Sequence, residues 1–434
     1  MAHTEEHTEE PAGVTWWATP PPAAADRSGA TGDGEPSRPA PRFLLSPDGT
    51  WAASADRSTV RAWDTATGGL RWQSDAEPVG EPPRLLSAPD GTWLAVADQH
   101  LTLRDPRTGA VLWRNPGTFV DALVPAPTAA VVIGTADDPD HGAHLDVWDS
   151  ATGRPRHTWY TTAGLSDTPD IVVAPDGTWA VTRCDDTGHC GGIWVYDMAT
   201  GRRRTRFETG DRERHQAVVG IAPDSSWVAL RGEDSGALLV WHPAEDRAVT
   251  VTGPTGEYGN GRRRGPSVPG PPVHAISPDS RWLVVGAAGG AAGGVRLHEA
   301  GTGHLRHRLD TAGAVTGAVI APDATWLATT DGDDGSVSVW EAATGRRLSR
   351  IESGTAQPPP VVRAFAAHDN PAEGRLAVAE AGRLTVADPR TGRTTTRHLP
   401  GRDRTGAPRL VRHLPDGRLA VIGRHGVHFT SSGL

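Results

Sequence analysis

The chain has 434 residues, of which 37% are hydrophobic and 52 are glycine, so it can bury a sizeable core. Its net charge is −9 and all 43 basic residues are arginine. The acidic total makes a nucleic acid an unlikely main partner, because phosphate binding needs a basic footprint. Neither a signal peptide nor an apolar run of membrane-spanning length is present, which predicts a cytoplasmic protein without a membrane partner.

The N-terminal segment, residues 1–41, is predicted to be mostly disordered. Residues 20–41 form a Pro, Ala and Gly-rich stretch that is typical of a mobile loop. Residues 13–19 differ, because Gly-Val-Thr-Trp-Trp at 13–17 resembles the apolar stretch at 109–113. We therefore expect a strand at 13–19.

A five-residue motif, Pro-Asp-Gly-Thr-Trp, recurs along the rest of the chain. It occurs at 47–51, 89–93 and 175–179, so the first two copies are 42 residues apart and the next two are 86 apart. Relaxed copies begin at Pro223, Pro278, Pro322 and Pro415. A period in the forties that is held along a chain indicates a repeat architecture and not a catalytic loop.

Each repeat reads as four short strands with two regular turns. The first turn is Pro-Asp-Gly, in which Pro presets φ and Gly tolerates a left-handed exit. The second is Asp/Glu-x-x-Thr-Gly, which fits a short hairpin closed by glycine. No stretch shows a helical period, so the fold class is all-β. Units begin near residues 42, 84, 119, 169, 216, 272, 315, 361 and 408.

Three units lack the glycine of the first turn. Ser225, Ser280 and Ala324 stand where the other units carry glycine. We interpret this substitution to mean that a positive φ is not required at those positions.

The last unit is incomplete, because its sequence ends after three strands. The strand at 13–19 would supply the missing fourth strand and close a ring, which removes an exposed sheet edge.

These motifs resemble those of the WD40 and quinoprotein-like β-propellers. The resemblance is carried by Ser-Pro-Asp-Gly-x-Trp, by the Trp-Asp pairs at 63–64 and 148–149, and by Asp-x-x-Thr-Gly-x-x-x-Trp at 64–72 and 105–113. It implies a β-propeller of four-stranded blades over residues 42–434, with nine repeat units and a ring closed by the N-terminal strand. Eight blades plus an irregular terminal unit are the alternative. The Gly-His dipeptide of WD40 units is not found before the first strand of any unit.

Function is expected on the loops that vary between units, since the two regular turns share one face and the variable loops share the other. The variable loops are acidic, and on one shared rim they would favour a basic protein partner. The alternative is a solvated rim that only keeps the protein soluble. The predicted partner-binding residues are Asp137, Asp138, Asp140, His141, Asp185, Asp186, Glu208, Asp211, Asp333 and Asp334.

Two loops have some of the residues that metal sites use. Cys184, His189 and Cys190 allow free thiols, a disulfide or a zinc site, and free thiols are favoured because the spacing is not a standard zinc pattern. The loop at 137–144 combines carboxylates with two histidines. The stretch 331–335 begins like a calcium loop but has no Glu at its twelfth position, so it is read as a hairpin turn. We predict no metal and no cofactor.

The favoured function is a non-enzymatic protein-interaction scaffold. No motif for a nucleophilic serine, a P-loop or a zinc protease is present. The alternatives are a quinoprotein-like or lactonase-like enzyme with a site in the central channel, as the resemblance allows, and a cation-binding module. A channel lined by converging Arg, Asp and His would favour the enzyme, and an apolar channel would favour the scaffold.

Overall fold

The computed structural model describes residues 15–17, 42–76, 82–98, 100–115, 120, 122–138, 142–160, 171–184, 192–208, 216–232, 236–252, 273–286, 294–311, 313–353, 361–367, 370–380, 382–399, 408–414, 416–423 and 426–431. Within these ranges every extended regular element is a β-strand, which confirms the all-β prediction. The described residues include no helix that is long and apolar enough to cross a membrane. The stretch predicted to be a mobile loop, 20–41, lies outside them.

The strands are grouped in nine antiparallel sheets of four, which are the nine blades of a β-propeller. The N-terminal strand is β1 (Thr15–Trp17). Blade 1 contains β2 (Arg42–Leu45), β3 (Trp51–Ala55), β4 (Thr59–Asp64) and β5 (Leu70–Asp75). Blade 2 contains β6 (Arg84–Ser87), β7 (Leu94–Ala97), β8 (Leu101–Arg104) and β9 (Val111–Asn115). Blade 3 contains β10 (Ala122–Val124), β11 (Val131–Asp138), β12 (Gly142–Asp149) and β13 (Pro155–Tyr160). Blade 4 contains β14 (Ile171–Val173), β15 (Trp179–Cys184), β16 (Gly192–Asp197) and β17 (Arg203–Glu208).

The second half of the chain repeats the same order. Blade 5 contains β18 (Gln216–Ile221), β19 (Val228–Gly232), β20 (Leu238–His242) and β21 (Arg247–Thr252). Blade 6 contains β22 (Val273–Ile276), β23 (Trp282–Val285), β24 (Val295–Glu299) and β25 (Leu305–Leu309). Blade 7 contains β26 (Val315–Ile320), β27 (Trp326–Asp331), β28 (Val337–Glu341) and β29 (Arg347–Ile351). Blade 8 contains β30 (Val361–Ala367), β31 (Asn370–Glu380), β32 (Arg383–Ala387) and β33 (Thr394–His398), and blade 9 contains β34 (Pro408–His413), β35 (Arg418–Gly423) and β36 (Gly426–Ser431).

The ninth blade is completed by the N-terminal strand. Strand β1 runs antiparallel to β36, with Thr15 opposite His428 and Trp17 opposite Gly426. The ring is also closed by Arg412, whose Nη1 donates to the carbonyl oxygens of Leu45 (3.2 Å) and of Ser46 in blade 1. Nine blades and closure by the N-terminal strand are therefore confirmed.

The hydrophobic core lies between the blades. The described residues form nine clusters of buried side chains, and each cluster joins two neighbouring blades. The cluster between blades 9 and 1, for example, packs Leu414 and Phe429 against Leu45 and Trp63. No blade can bury its apolar faces alone, so the repeats depend on each other for a continuous core.

The tryptophan that ends the Pro-Asp-Gly-Thr-Trp motif also connects neighbouring blades. The indole Nε1 of Trp51 donates to the carbonyl of Gly91 in the next blade at 3.2 Å, and Trp93 donates likewise to Ala129 at 2.9 Å. On the outer strand, Trp72 Nε1 donates to Pro106 O at 3.0 Å. Each of these three tryptophans therefore hydrogen-bonds its own blade to the next one.

The interpretation of the three units without glycine is wrong. Ser225, Ser280 and Ala324 all adopt a positive φ, at 63°, 62° and 57°. The turn geometry requires this conformation whatever residue occupies it. At Ser225 and Ser280 the strain is accompanied by a hydrogen bond between blades, because each hydroxyl accepts from the backbone N–H of the preceding unit's turn aspartate at 3.0 Å.

Candidate functional site

The two ends of the blades form two different faces. Because each sheet is an antiparallel meander, its first and third turns lie at one end and its second turn and the link to the next blade lie at the other. The two regular turns of a blade contact each other, as shown by the N–H of Ala300, which donates to Arg281 O at 2.8 Å. We call their end the turn face and the opposite end the variable-loop face.

Those predicted partner-binding residues that the structure describes lie on the variable-loop face. Asp333 and Asp334 are described in full and are exposed in the β27–β28 hairpin. Asp137, Asp138 and Glu208 lie at strand ends, where only the backbone is described. The remaining predicted residues lie outside the described ranges: Asp140, His141, Asp185, Asp186 and Asp211.

The β27–β28 hairpin is a structural turn, as predicted for 331–335. Asp331 is buried, and its carboxylate accepts from the N–H of Gly313 at 3.1 Å and of Asp333 at 2.9 Å. The side chain of Asp334 accepts a hydrogen bond from Ser336 and forms an ion pair with Arg350. These interactions hold the pKa of Asp334 below its usual range. Asp333 is the exposed carboxylate that remains without such an ion pair in this turn.

Two other acidic residues of the described part of this face, Asp56 and Glu380, are held in ion pairs. Burial disfavours the charged form of Asp56, but hydrogen bonds from Ser58 and Arg61, among others, outweigh it and lower its pKa to about 2. Glu380 forms an ion pair with Arg383 at 2.6 Å. The described carboxylates are therefore partly neutralised, and the predicted acidic character depends on the remaining loops.

The metal candidates gain no support from the described residues. Only the backbone of Cys184 is described, at the end of β15, while His189 and Cys190 lie outside the described ranges. His144 Nε2 lies 3.5 Å from Asp146 Oδ2. Across the described part of the chain no three His, Cys, Asp or Glu side chains are grouped as metal ligands.

The first strands of the blades surround the central axis, since those of neighbouring blades contact one another. Half-buried apolar side chains such as Phe43, Leu85, Val172, Val219 and Val319 lie on these strands. None of the nine strands, as the structure bounds them, contains an Asp or a Glu. These described strands therefore contribute no carboxylate to the inner wall, and their ionisable residues are Arg and His, such as Arg84 and His274.

A groove of about 660 Å³ opens on the turn face across blades 6, 7 and 8. Its cationic side chains are Arg281 and Arg306 from blade 6, Arg346 from blade 7 and Arg390 from blade 8. All four are exposed. None of these groove residues is among the predicted site residues, because the regular turns were not expected to bind a partner.

Inside the groove the guanidinium of Arg306 lies over the ring of Trp282, 4.5 Å from its centroid. Arg346 Nε is 3.9 Å from Glu341 Oε2, at the limit of an ion pair. Asp323 also lines the groove, and its Oδ2 atom is buried without a hydrogen-bond partner. The groove thus offers several cationic donors, one aromatic plane and one unsatisfied acceptor.

Two family models match the chain. One is described as outer membrane protein assembly factor BamB and matches residues 56–222, and the other is described as WD domain, G-beta repeat and matches residues 302–341. Together with the nine four-stranded blades, these matches show which kind of repeat builds the ring. The chain is a β-propeller with WD40-like and quinoprotein-like repeats. A comparison of the propeller with curated protein sequences finds no match.

Solved structures show the same architecture at low sequence identity. The crystal structure of a eukaryotic initiation factor shares 12% sequence identity with this chain, with a TM-score of 0.56, and the match covers 92% of each chain. The computationally designed Ika8 protein is 17% identical, with a TM-score of 0.51, and the match covers 80% of the propeller and 95% of the designed chain. At these identities the likeness establishes the fold alone.

Proposed function

We propose that this propeller is a non-enzymatic scaffold that binds a protein partner through its variable-loop face. The observation that carries the proposal is the inner wall, whose nine strands contain no Asp or Glu. An enzyme that uses carboxylates as acid and base in the central channel would need Asp or Glu there. Their absence from these described strands favours binding over that kind of catalysis.

The architecture supports the same function. A closed ring with nine inter-blade cores holds its loops on a rigid frame, on which binding loops are commonly carried. One matching family model is described as an assembly factor, and a role in assembling proteins needs binding and no catalytic site.

The partner that this face would bind is basic. Asp333 is exposed there without an ion pair to a described residue, and Asp334 is exposed beside Arg350. The sequence predicts further acidic residues in the variable loops at 137–140, 185–186 and 208–211. Clustered carboxylates attract a basic surface and speed its association. A nucleic acid does not fit, because its phosphates would be repelled.

The test is affinity capture from cytosol with three baits. The first is the wild-type propeller, the second carries Asp333→Ser and Asp334→Ser, and the third carries Glu245→Ser and Glu299→Ser on the turn face as a matched control. We expect one basic protein to bind the first and third baits and to be lost with the second. Capture that is equal with all three baits, or no capture at all, would contradict the proposal.

A further inference from the structure

The turn-face groove is formed where blade 6 departs from the arrangement of blades 1, 3 and 4. In blades 1 and 4 the arginine seven residues after the turn aspartate pairs with that aspartate, so that Arg71 Nη2 lies 2.7 Å from Asp64 and Arg204 Nε lies 2.8 Å from Asp197. Arg156 pairs with Asp149 in the same way in blade 3. These guanidinium groups are neutralised by their own blade.

In blade 6 the arginine at this position has no carboxylate partner among the described residues. The turn residue is Glu299, and its carboxylate accepts from the hydroxyl of Thr302 at 2.7 Å. Arg306, the arginine seven residues later, forms no ion pair with a described residue and lies on Trp282 instead. The guanidinium is thus presented to the groove.

Two neighbouring residues of blade 6 also differ from their equivalents. The tryptophan of this turn is buried in other blades, with Trp51 and Trp227 2% exposed and Trp326 1% exposed, whereas Trp282 is half-buried and lines the groove. Arg281 precedes it where most units have Thr or Ser, and it forms no ion pair within the described part of the chain. Three departures from the repeat therefore meet at one surface.

The acidic residues of the groove are already engaged in their turns. Asp279 accepts from the hydroxyl of Ser277 at 2.6 Å, and Asp323 Oδ1 accepts from the hydroxyl of Thr325 at 2.8 Å. The four exposed arginines come from three different blades, so the positive charge of the groove is spread over more than one repeat. The unsatisfied Asp323 Oδ2 needs a donor, and a backbone N–H would provide one.

We propose that the turn-face groove binds an acidic linear segment of a partner protein. Carboxylates spaced along an extended chain would each meet a guanidinium group, with which they form charge-assisted hydrogen bonds. Trp282 and the arginines supply the residue types that dominate binding energy at protein interfaces. This groove lies on the face opposite to the one in the proposed function, so either proposal can fail while the other stands.

The test measures fluorescence anisotropy of a labelled peptide, Gly-Glu-Glu-Gly-Glu-Glu-Gly-Glu-Glu-Gly, with the full chain. One variant carries Arg281→Ser and Arg306→Ser. The matched control carries Arg156→Ser and Arg204→Ser, which removes two arginines at the repeat position where they are ion-paired. A peptide with Gln in place of Glu measures binding that does not need the charges.

We expect the wild-type chain and the matched control to bind the Glu peptide equally, and the groove variant to bind it at least about tenfold more weakly. The Gln peptide should not bind. The proposal is overturned if the wild-type chain does not bind the Glu peptide, if both double variants lose the same affinity, or if the Gln peptide binds as well. Tighter binding of a peptide with one phosphoserine and no Glu would also overturn it. Should the groove variant fail to fold, Arg346→Ser alone replaces it, with the same expected direction.

Discussion

The contact between a regular turn and the tryptophan of the preceding blade predicts a difference between two glycine substitutions. Gly109 has a φ of +75°, and a Cβ added there would lie 2.7 Å from Cδ2 of Trp72. Gly417 has a φ of +83°, and no heavy atom lies within 4 Å of an added Cβ. The substitutions Gly109→Ala and Gly417→Ala therefore share the backbone strain and differ in the steric clash.

The magnitudes follow from these two effects. A left-handed backbone costs an alanine about 1–2 kcal/mol, and the smaller entropy of the unfolded chain returns about 0.4–1 kcal/mol. Overpacking against the indole adds about 1–3 kcal/mol at Gly109. We expect Gly417→Ala to lower the free energy of unfolding by about 1 kcal/mol and Gly109→Ala by about 2–4 kcal/mol.

The assay is guanidinium-induced unfolding followed by circular dichroism, with the slope against denaturant compared between variants. Equal losses in the two variants would refute the reasoning, because they would mean that the turn glycine does not pack against Trp72 of the preceding blade.

Three further results are expected. The substitution Ala324→Gly should raise the free energy of unfolding by about 0.5–1 kcal/mol, because glycine relieves the left-handed strain. The substitution Ser280→Gly should not raise it, because the Ser280 hydroxyl accepts a hydrogen bond from another blade that glycine would lose. An equal gain in both variants would mean that this hydrogen bond does not stabilise the fold. Burial lowers the pKa of His274, so the unfolded chain takes up a proton at a higher pH than the folded chain does, and the free energy of unfolding falls as the pH drops below about 6.5. The substitution His274→Leu should make the melting temperature fall less between pH 7 and pH 5. An equal fall in the wild-type and variant chains would contradict this expectation. The hydrogen bond from Arg71 lowers the pKa of Asp64 to about 2, so the ionised pair stabilises the fold above about pH 4 and this stabilisation is lost towards pH 2. The variant Arg71→Ser should therefore lose less free energy of unfolding between pH 4 and pH 2 than the wild-type chain. An equal loss in both chains would show that the pair does not contribute to stability.

Much of the fold could be predicted because the residues of the two regular turns recur at a regular spacing along the chain. The predicted unit starts near 42, 216, 315, 361 and 408 coincide with first strands that begin at those positions. The closing strand was predictable because the last unit had three strands and an unpaired edge is unfavourable. What turn residues alone do not reveal is whether a position must be left-handed, and the reading of Ser225, Ser280 and Ala324 was wrong for that reason.

The turn-face groove could not be found by reading one unit at a time. Its residues are ordinary in isolation, and the predicted acidic residues drew attention to the other face. The signal was present in the alignment of the repeats, where Arg281 replaces a hydroxyl residue and Glu299 replaces an aspartate. That Trp282 is half-buried and carries Arg306 on its ring depends on packing between blades, which sequence spacing does not determine.

The central claim, that departures from the repeat create a binding site on the turn face, is tested most directly by hydrogen–deuterium exchange of the full chain with and without the Glu peptide. We predict slower exchange in the peptide complex at 277–282, 299–306 and 341–346, with the hairpin at 331–336 unchanged. Protection at 331–336, or no protection in the three turn segments, would contradict the claim.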